Sequence, residues 1–314
     1  MLNVSARTLS IVVSVLVIVL LYWQVDLNQV SHTLLHSNPI WLSLGLLLVI
    51  PTILLSAFRL TFLSIDSNKI NYSSALKLTL AASVMNLVLP SKMGDVAKSA
   101  FIVKDKGVAY SKAVPLVIFE KANDFLALLL WCIVGLVFLQ SDQGMYMVLL
   151  ALSLFLFTIM TLTMTSGKFS NWVFRLLLLI LPKRLATKAD SFQQGWHDVS
   201  GIVKRDMGKF LSLSLMSVFL WFLHLLQIWL FTMALTSDVG FMISLAITPI
   251  VIFAGLMPLT FSGVGIRDLA FVYFYATYFS AEIGVALGIL TTLRYILPAI
   301  VGIPFFSHYA KAFK

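Results

Sequence analysis

Long apolar runs recur along this chain, separated by short polar breaks. Stretches such as LSLGLLLVIPTILLSAF do not alternate polar and apolar positions, which argues against the strands of a membrane barrel. A helix needs about 20 apolar residues to cross a bilayer. Runs of that size fall at about 8–25, 40–63, 113–139, 145–165, 210–236 and 284–307. Two shorter pieces, 78–90 and 241–258, each lead into a proline and a polar kink. The pattern predicts an all-α polytopic membrane protein with six to eight transmembrane helices, forming a single integral membrane domain over 1–314. Segment 169–182 reads as an interfacial helix and 183–209 as a polar cytoplasmic stretch.

Composition sharpens this reading. The chain is 60% hydrophobic and only 11% charged, whereas soluble domains carry about a quarter charged residues. That balance argues strongly against a water-soluble fold. The net charge of +9 comes from residues lying between apolar runs, so it sets topology and meets anionic lipid, and no basic domain is present to bind nucleic acid. Lys104, Lys106 and Lys112 cluster in one connection. Lys183, Arg184, Lys188, Lys204, Arg205 and Lys209 lie in another, and Lys311 and Lys314 close the chain. The connections near Asp26, Asp142 and Asp238 hold no lysine or arginine. The positive-inside rule then puts both termini in the cytoplasm. The first run, ending LLYWQVD, lacks a small-residue cleavage site and reads as a retained helix. Cys132 is the only cysteine, so no internal disulfide and no cysteine metal site is expected. His32 and His36 read as part of a solvated loop, and neither a metal nor a cofactor is expected.

The kinks NLVLPSKMGDVAKSA and GLMPLTFSGVGIRDLAF share an order of residue types. Each has a proline (Pro90; Pro258), glycine (Gly94; Gly263 and Gly265), an acid (Asp95; Asp268) and a basic residue (Lys98; Arg267). Proline removes a backbone donor and glycine frees the chain to turn. Backbone broken at membrane depth is tolerated only inside protein or along a watery cavity. A restarting helix beside a basic residue is a seat for a phosphate. Ordinary interfacial loops are the plainer alternative. If both kinks are re-entrant hairpins, halves 1–140 and 141–314 each make three crossings and form inverted repeats, with the site at their interface. If 241–261 and 266–280 cross fully, the count is eight.

Ionisable residues also enter the apolar runs. Glu120 and Asp124, in IFEKANDFL, are four apart and share a helix face. Each costs about 2.5–3.5 kcal/mol on insertion scales, so such groups face an interior or a cavity. The alternative is an interfacial position with Lys121 reaching for the headgroups. Arg294 lies deep in the last run and needs a partner: Glu120, Asp124, Asp268 or a ligand anion. Arg59 reads as an interface anchor, and His224 as a helix-packing residue. No nucleophile with its base and no nucleotide loop stands out.

Together these residues resemble the family named after the transmembrane region of lysylphosphatidylglycerol synthase, also called the flippase-like domain. That pattern has P-x3-GE-x2-R, then ER-x2-D, then a late P…GG-x-G-x-RE and an arginine in the last helix. Here it is met by Pro90, Gly94, Asp95 and Lys98; Glu120, Lys121 and Asp124; Pro258, Gly263, Gly265, Arg267 and Asp268; and Arg294. Asp replaces Glu twice, Lys replaces Arg twice, and Ser262 stands where glycine is common. Lysine lacks arginine's bidentate grip on phosphate. The resemblance implies a lipid-handling protein of the cytoplasmic membrane without the aminoacyl-transferring soluble domain. Its expected cargo is a phosphate-bearing lipid: a polyprenyl-phosphate carrier, glycolipid or phospholipid. Lys98, Arg267 and Arg294 would bind the headgroup, and Asp95, Glu120, Asp124 and Asp268 would be charge partners or couple a proton. Two alternatives stay open: an integral membrane glycosyl or headgroup transferase, and a non-catalytic partner of an envelope glycosyltransferase. The sequence leaves oligomeric state open, a dimer included.

Overall fold

The computed structural model describes residues 19, 23, 25–64, 70–88, 94–139, 144–180, 193–201, 206–236, 239–256 and 263–310. Among them the helices are α1 (Leu27–Leu35), α2 (Pro39–Leu47), α3 (Val49–Leu63), α4 (Tyr72–Val88), α5 (Gly94–Lys106), α6 (Tyr110–Leu139), α7 (Gly144–Thr165), α8 (Gly167–Ile180), α9 (Met207–Leu235), α10 (Phe241–Leu256), α11 (Ile266–Phe274) and α12 (Ala281–Ala310). A further helical segment covers 193–201, and no strand occurs among the described residues.

Local chemistry explains several boundaries. The Asp26 carboxylate accepts the Asn28 N–H at 2.8 Å and caps α1. Asn38 accepts the Ile40 N–H at 3.0 Å and starts α2, with Pro39 at the first helical position. Pro51 has no N–H to give the Leu47 carbonyl, and the helical path is interrupted at Leu48, between α2 and α3.

Among the described residues, five helices are long and apolar enough to cross a membrane: Pro39–Leu63 (α2 with α3), α6, α7, α9 and Ala281–Tyr309 in α12. They coincide with five of the six predicted runs. The sixth, 8–25, lies outside the described residues apart from 19, 23 and 25, as do the acidic connections at Asp142 and Asp238 and most of the polar stretch 183–209. The protein is an all-α, multi-pass membrane protein.

Both kinked regions form paired helices. α4 packs on α5 and α10 packs on α11. Several further contacts occur in matching pairs. α3 packs on α4 as α9 packs on α10; α5 packs on α6 as α11 packs on α12. The longest helix of each half lies along the other half's pair: α12 on α4, and α6 on α10. Glycine permits both approaches. A Cβ at Gly302 would collide with the Leu80 carbonyl, and one at Gly135 with the Leu245–Ala246 backbone.

Two large apolar cores result. One joins Leu60, Leu78, Phe101, Phe119, Ala122, Leu213 and Tyr309. The other joins Leu128, Leu225, Ile228, Phe271, Leu287 and Leu290. α6, α9 and α12 cross from one to the other, and each carries a polar residue at the crossing: Asp124 between Ala122 and Leu128, Ser217 between Leu213 and Leu225, Arg294 between Leu290 and Tyr309. A polar layer thus lies between two greasy ones.

Candidate functional site

Asp124 and Arg294 are the fifteenth and fourteenth residues of two 30-residue helices, α6 and α12. At 1.5 Å per residue each lies roughly 20 Å from its helix start, near the middle of its helix. Both line a cavity of about 370 Å³ together with Arg59, Asp95, Lys98, Glu120 and Lys121. The rest of the wall includes Thr79, Ser83 and Asn86 of α4, Trp221, His224 and Gln227 of α9, and Tyr295 and Pro298 of α12.

Most of these charges hold one another. Arg59, only 2% exposed, bonds both oxygens of Asp124 and reaches Glu120 Oε1 at 2.8 Å and Ser217 Oγ at 2.8 Å. Lys98 Nζ donates to Glu120 Oε1 at 3.2 Å and lies 3.7 Å from Asp95. Lys121 Nζ donates to Asp95 Oδ2 at 2.7 Å and to Asp124 Oδ2 at 2.9 Å. Three cations and three carboxylates form a neutral network that ties α3, α5 and α6 together. Asp95 is also fixed to α4, since its N–H donates to Asn86 Oδ1 at 3.1 Å and its carboxylate accepts the Asn86 amide at 3.2 Å. Gly94 precedes it, and a Cβ there would strike the Asn86 backbone. Removing one partner from such a buried network costs about 3–5 kcal/mol, because a charge is left uncompensated.

Arg294 stands apart. It is 4% exposed, and among the described residues no carboxylate pairs with it. Its Nη1 approaches the Gln227 amide oxygen at 3.3 Å and the His224 carbonyl at 3.4 Å, both long for hydrogen bonds. Its Nη2 donates to the Tyr295 hydroxyl, and the guanidinium lies 4.6 Å from that ring's centre. Among the described residues its Nε is buried without a partner. Arg59 Nε, Thr79 Oγ1 and Trp221 Nε1 are likewise buried and unpartnered, and all belong to residues lining this cavity. Buried polar atoms are seldom left so. Their gathering around one cavity, from four helices, marks a place where a polar ligand belongs.

Beside the cavity runs an apolar groove of about 570 Å³, lined by Leu46, Leu47, Ile50, Leu54, Leu80 and Val301 among others. Val49, Ile53 and Pro298 belong to both walls. Leu47, Ile50, Leu54 and Val301 are exposed on the outside of the helix bundle. The polar chamber and the greasy groove are thus neighbours that share one wall.

The structure brings together Asp95, Lys98, Glu120, Asp124 and Arg294, and leaves Arg267 and Asp268 elsewhere. Arg267 Nη2 donates to Asp268 Oδ1 at 2.7 Å, to the Gly288 carbonyl at 2.9 Å and to Thr292 Oγ1 at 2.7 Å. Asp268 Oδ2 accepts the Gly265 N–H at 3.0 Å, capping α11. Gly263 and Gly265 have φ of 76° and 94°, left-handed values that glycine takes readily. This second group locks α11 to α12 and does not line the cavity. Pro90 and Pro258 lie outside the described residues.

Two expectations and one alternative are revised. Arg59 is a buried network member rather than an interface anchor, because α3 turns it toward two carboxylates of α6. Lys121 is pinned by Asp95 and Asp124 instead of reaching for headgroups. His32 and His36 lie on the end of α1, exposed and with stacked rings 3.9 Å apart, rather than in a loop. No metal-binding group of His, Cys, Asp or Glu occurs among the described residues. Asn86 and Gln227 were missed as site residues. Each is a lone amide within an apolar run, the same kind of signal that singled out Arg294.

A search of curated proteins finds no match. The family model described as "Lysylphosphatidylglycerol synthase TM region" matches residues 7–302. Over nearly its whole length, the chain belongs to the lysylphosphatidylglycerol synthase transmembrane-region family.

Proposed function

We propose that the protein moves a phosphate-bearing lipid between the leaflets of the cytoplasmic membrane, with both termini in the cytoplasm. Family membership fits a membrane lipid-related function. The observation that carries the proposal is the adjacency of two unlike spaces. A buried polar cavity, holding an arginine that no described carboxylate pairs, shares Val49, Ile53 and Pro298 with an apolar groove whose residues are exposed on the outside of the bundle. A lipid has that same division. Its headgroup would occupy the cavity against Arg294 while its chains remain in the groove and bilayer. The two helix pairs α4/α5 and α10/α11 would be the re-entrant elements of two inverted halves, and their breaks the hinges of alternating access.

A transferase reading draws less support. Asp95, Glu120 and Asp124 are each already engaged by cations, whereas a catalytic base must be free to reach and take a substrate proton.

Proteoliposome transport tests the proposal. Wild-type protein should expose a fluorescent phospholipid from the inner leaflet to an external quencher, and Arg294→Ala should reduce the rate at least tenfold. Equal rates in protein-loaded and empty vesicles, across phosphate-bearing lipids, would rule the translocase out.

A further inference from the structure

We infer that the headgroup held in this cavity carries one net negative charge, as a phosphodiester does, and is neither a phosphomonoester, a pyrophosphate nor a zwitterion. The inference rests on the translocase reading and narrows its cargo.

It follows from a charge balance within a confined, low-dielectric space. The ionised residues lining the cavity, among those described, are Arg59, Lys98, Lys121 and Arg294 against Asp95, Glu120 and Asp124. Counting lysine, arginine, aspartate and glutamate, four cations against three carboxylates leave one positive charge. That excess is localised: six of the seven groups are joined in the network, and Arg294 is the one left out. An uncompensated charge away from water is costly. A headgroup with a single negative charge neutralises the chamber. A zwitterion leaves the excess in place, and a pyrophosphate overshoots it. A phosphomonoester carries about −1.5 to −2 at neutral pH and overshoots as well.

The unpartnered atoms agree with this count. Arg294 Nε, Arg59 Nε and Trp221 Nε1 are donors, and Thr79 Oγ1 can donate. A set made of donors suits an acceptor-only group such as the two free oxygens of a diester. The ammonium of a zwitterionic headgroup would need acceptors, yet all three carboxylates are already engaged. The cavity, at about 370 Å³, lies at the small end of ligand pockets and suits a compact headgroup.

The test is lipid retention by the purified full chain in uncharged detergent, read by native mass spectrometry. Phosphatidylglycerol, phosphatidic acid and phosphatidylcholine are offered in equal amounts. Inorganic phosphate is tested separately by thermal shift. Wild type should retain phosphatidylglycerol over both other lipids by about tenfold, the scale of one charge-assisted hydrogen bond. Arg294→Gln, which makes the cavity neutral, should abolish that preference, and Arg294→Lys should keep most of it. Stronger retention of phosphatidic acid would overturn the single-charge assignment while leaving lipid transport standing. An unchanged preference in Arg294→Gln would overturn the assignment of the charge to Arg294. Stabilisation by inorganic phosphate without selective lipid retention would make this a free-anion site, and the translocase reading would fall with it.

Discussion

Gln227 joins Arg294 to the opposite helix. Its amide nitrogen donates to the Gly45 carbonyl at 2.7 Å, which turns the amide oxygen toward Arg294 Nη1 at 3.3 Å. The glutamine is 1% exposed. The cation is thus oriented by a neutral group that leaves its charge available. A carboxylate in this place would bind the guanidinium tightly and cancel that charge.

Gln227→Glu should therefore abolish lipid transport although Arg294 is still present. Gln227→Met, which removes the contact without adding charge, should reduce transport only a fewfold. Proteoliposome rates for the two variants make the comparison. Transport by Gln227→Glu at the wild-type rate would show that the free charge of Arg294 is not needed.

The buried network makes a prediction about stability. Arg59→Leu leaves Glu120 and Asp124 short of a partner and should cost about 3–5 kcal/mol. Adding Asp124→Asn should cost less than the two changes summed, because the second removes the charge stranded by the first. Thermal unfolding in detergent reads both. Strict additivity would show that the two residues act independently.

The boundary that chamber and groove share can be filled without touching a charge, which tests whether lipid passes there. Ile53→Trp places bulk where the two spaces meet. It should slow transport at least tenfold while leaving the melting temperature within about 3 °C, the size of a change below 1 kcal/mol in a chain this long. Normal transport with a blocked passage would mean that lipid enters elsewhere.

Close packing supplies the last test. Gly135→Ala and Gly302→Ala each force a methyl group into backbone and should cost about 1–3 kcal/mol. Gly144→Ala meets nothing within 4 Å and should stay within about 0.5 kcal/mol of wild type. Equal effects at all three positions would show that the helices yield easily.

How much of this was legible beforehand follows from which residues bore a local signal. Apolar run length announced five crossing helices, and proline with glycine announced both helix pairs. Ionisable residues in greasy surroundings announced Glu120, Asp124 and Arg294. The partners were another matter. Arg59 lies four residues from the end of α3, where local sequence suggests an anchor, and its true setting depends on residues 61 and 65 positions away. Arg267 and Asp268 matched Lys98 and Asp95 in motif, yet only the first kink lines the cavity. Motif likeness did not record that Asp268 caps its own helix and holds its neighbour. Gly135 and Gly302 carried no signal, since their need arises only when distant backbones meet.

The packing of α12 along α4 has a consequence for how the chain is made. About 190 residues separate the end of α4 from the start of α12. At roughly 5–20 residues per second, α4 emerges some ten to forty seconds before the helix that will cover it. Through that interval the Leu80 backbone lacks the neighbour it will have in Gly302. Truncations before residue 281 are expected to be degraded in the cell rather than to accumulate as half-sized proteins.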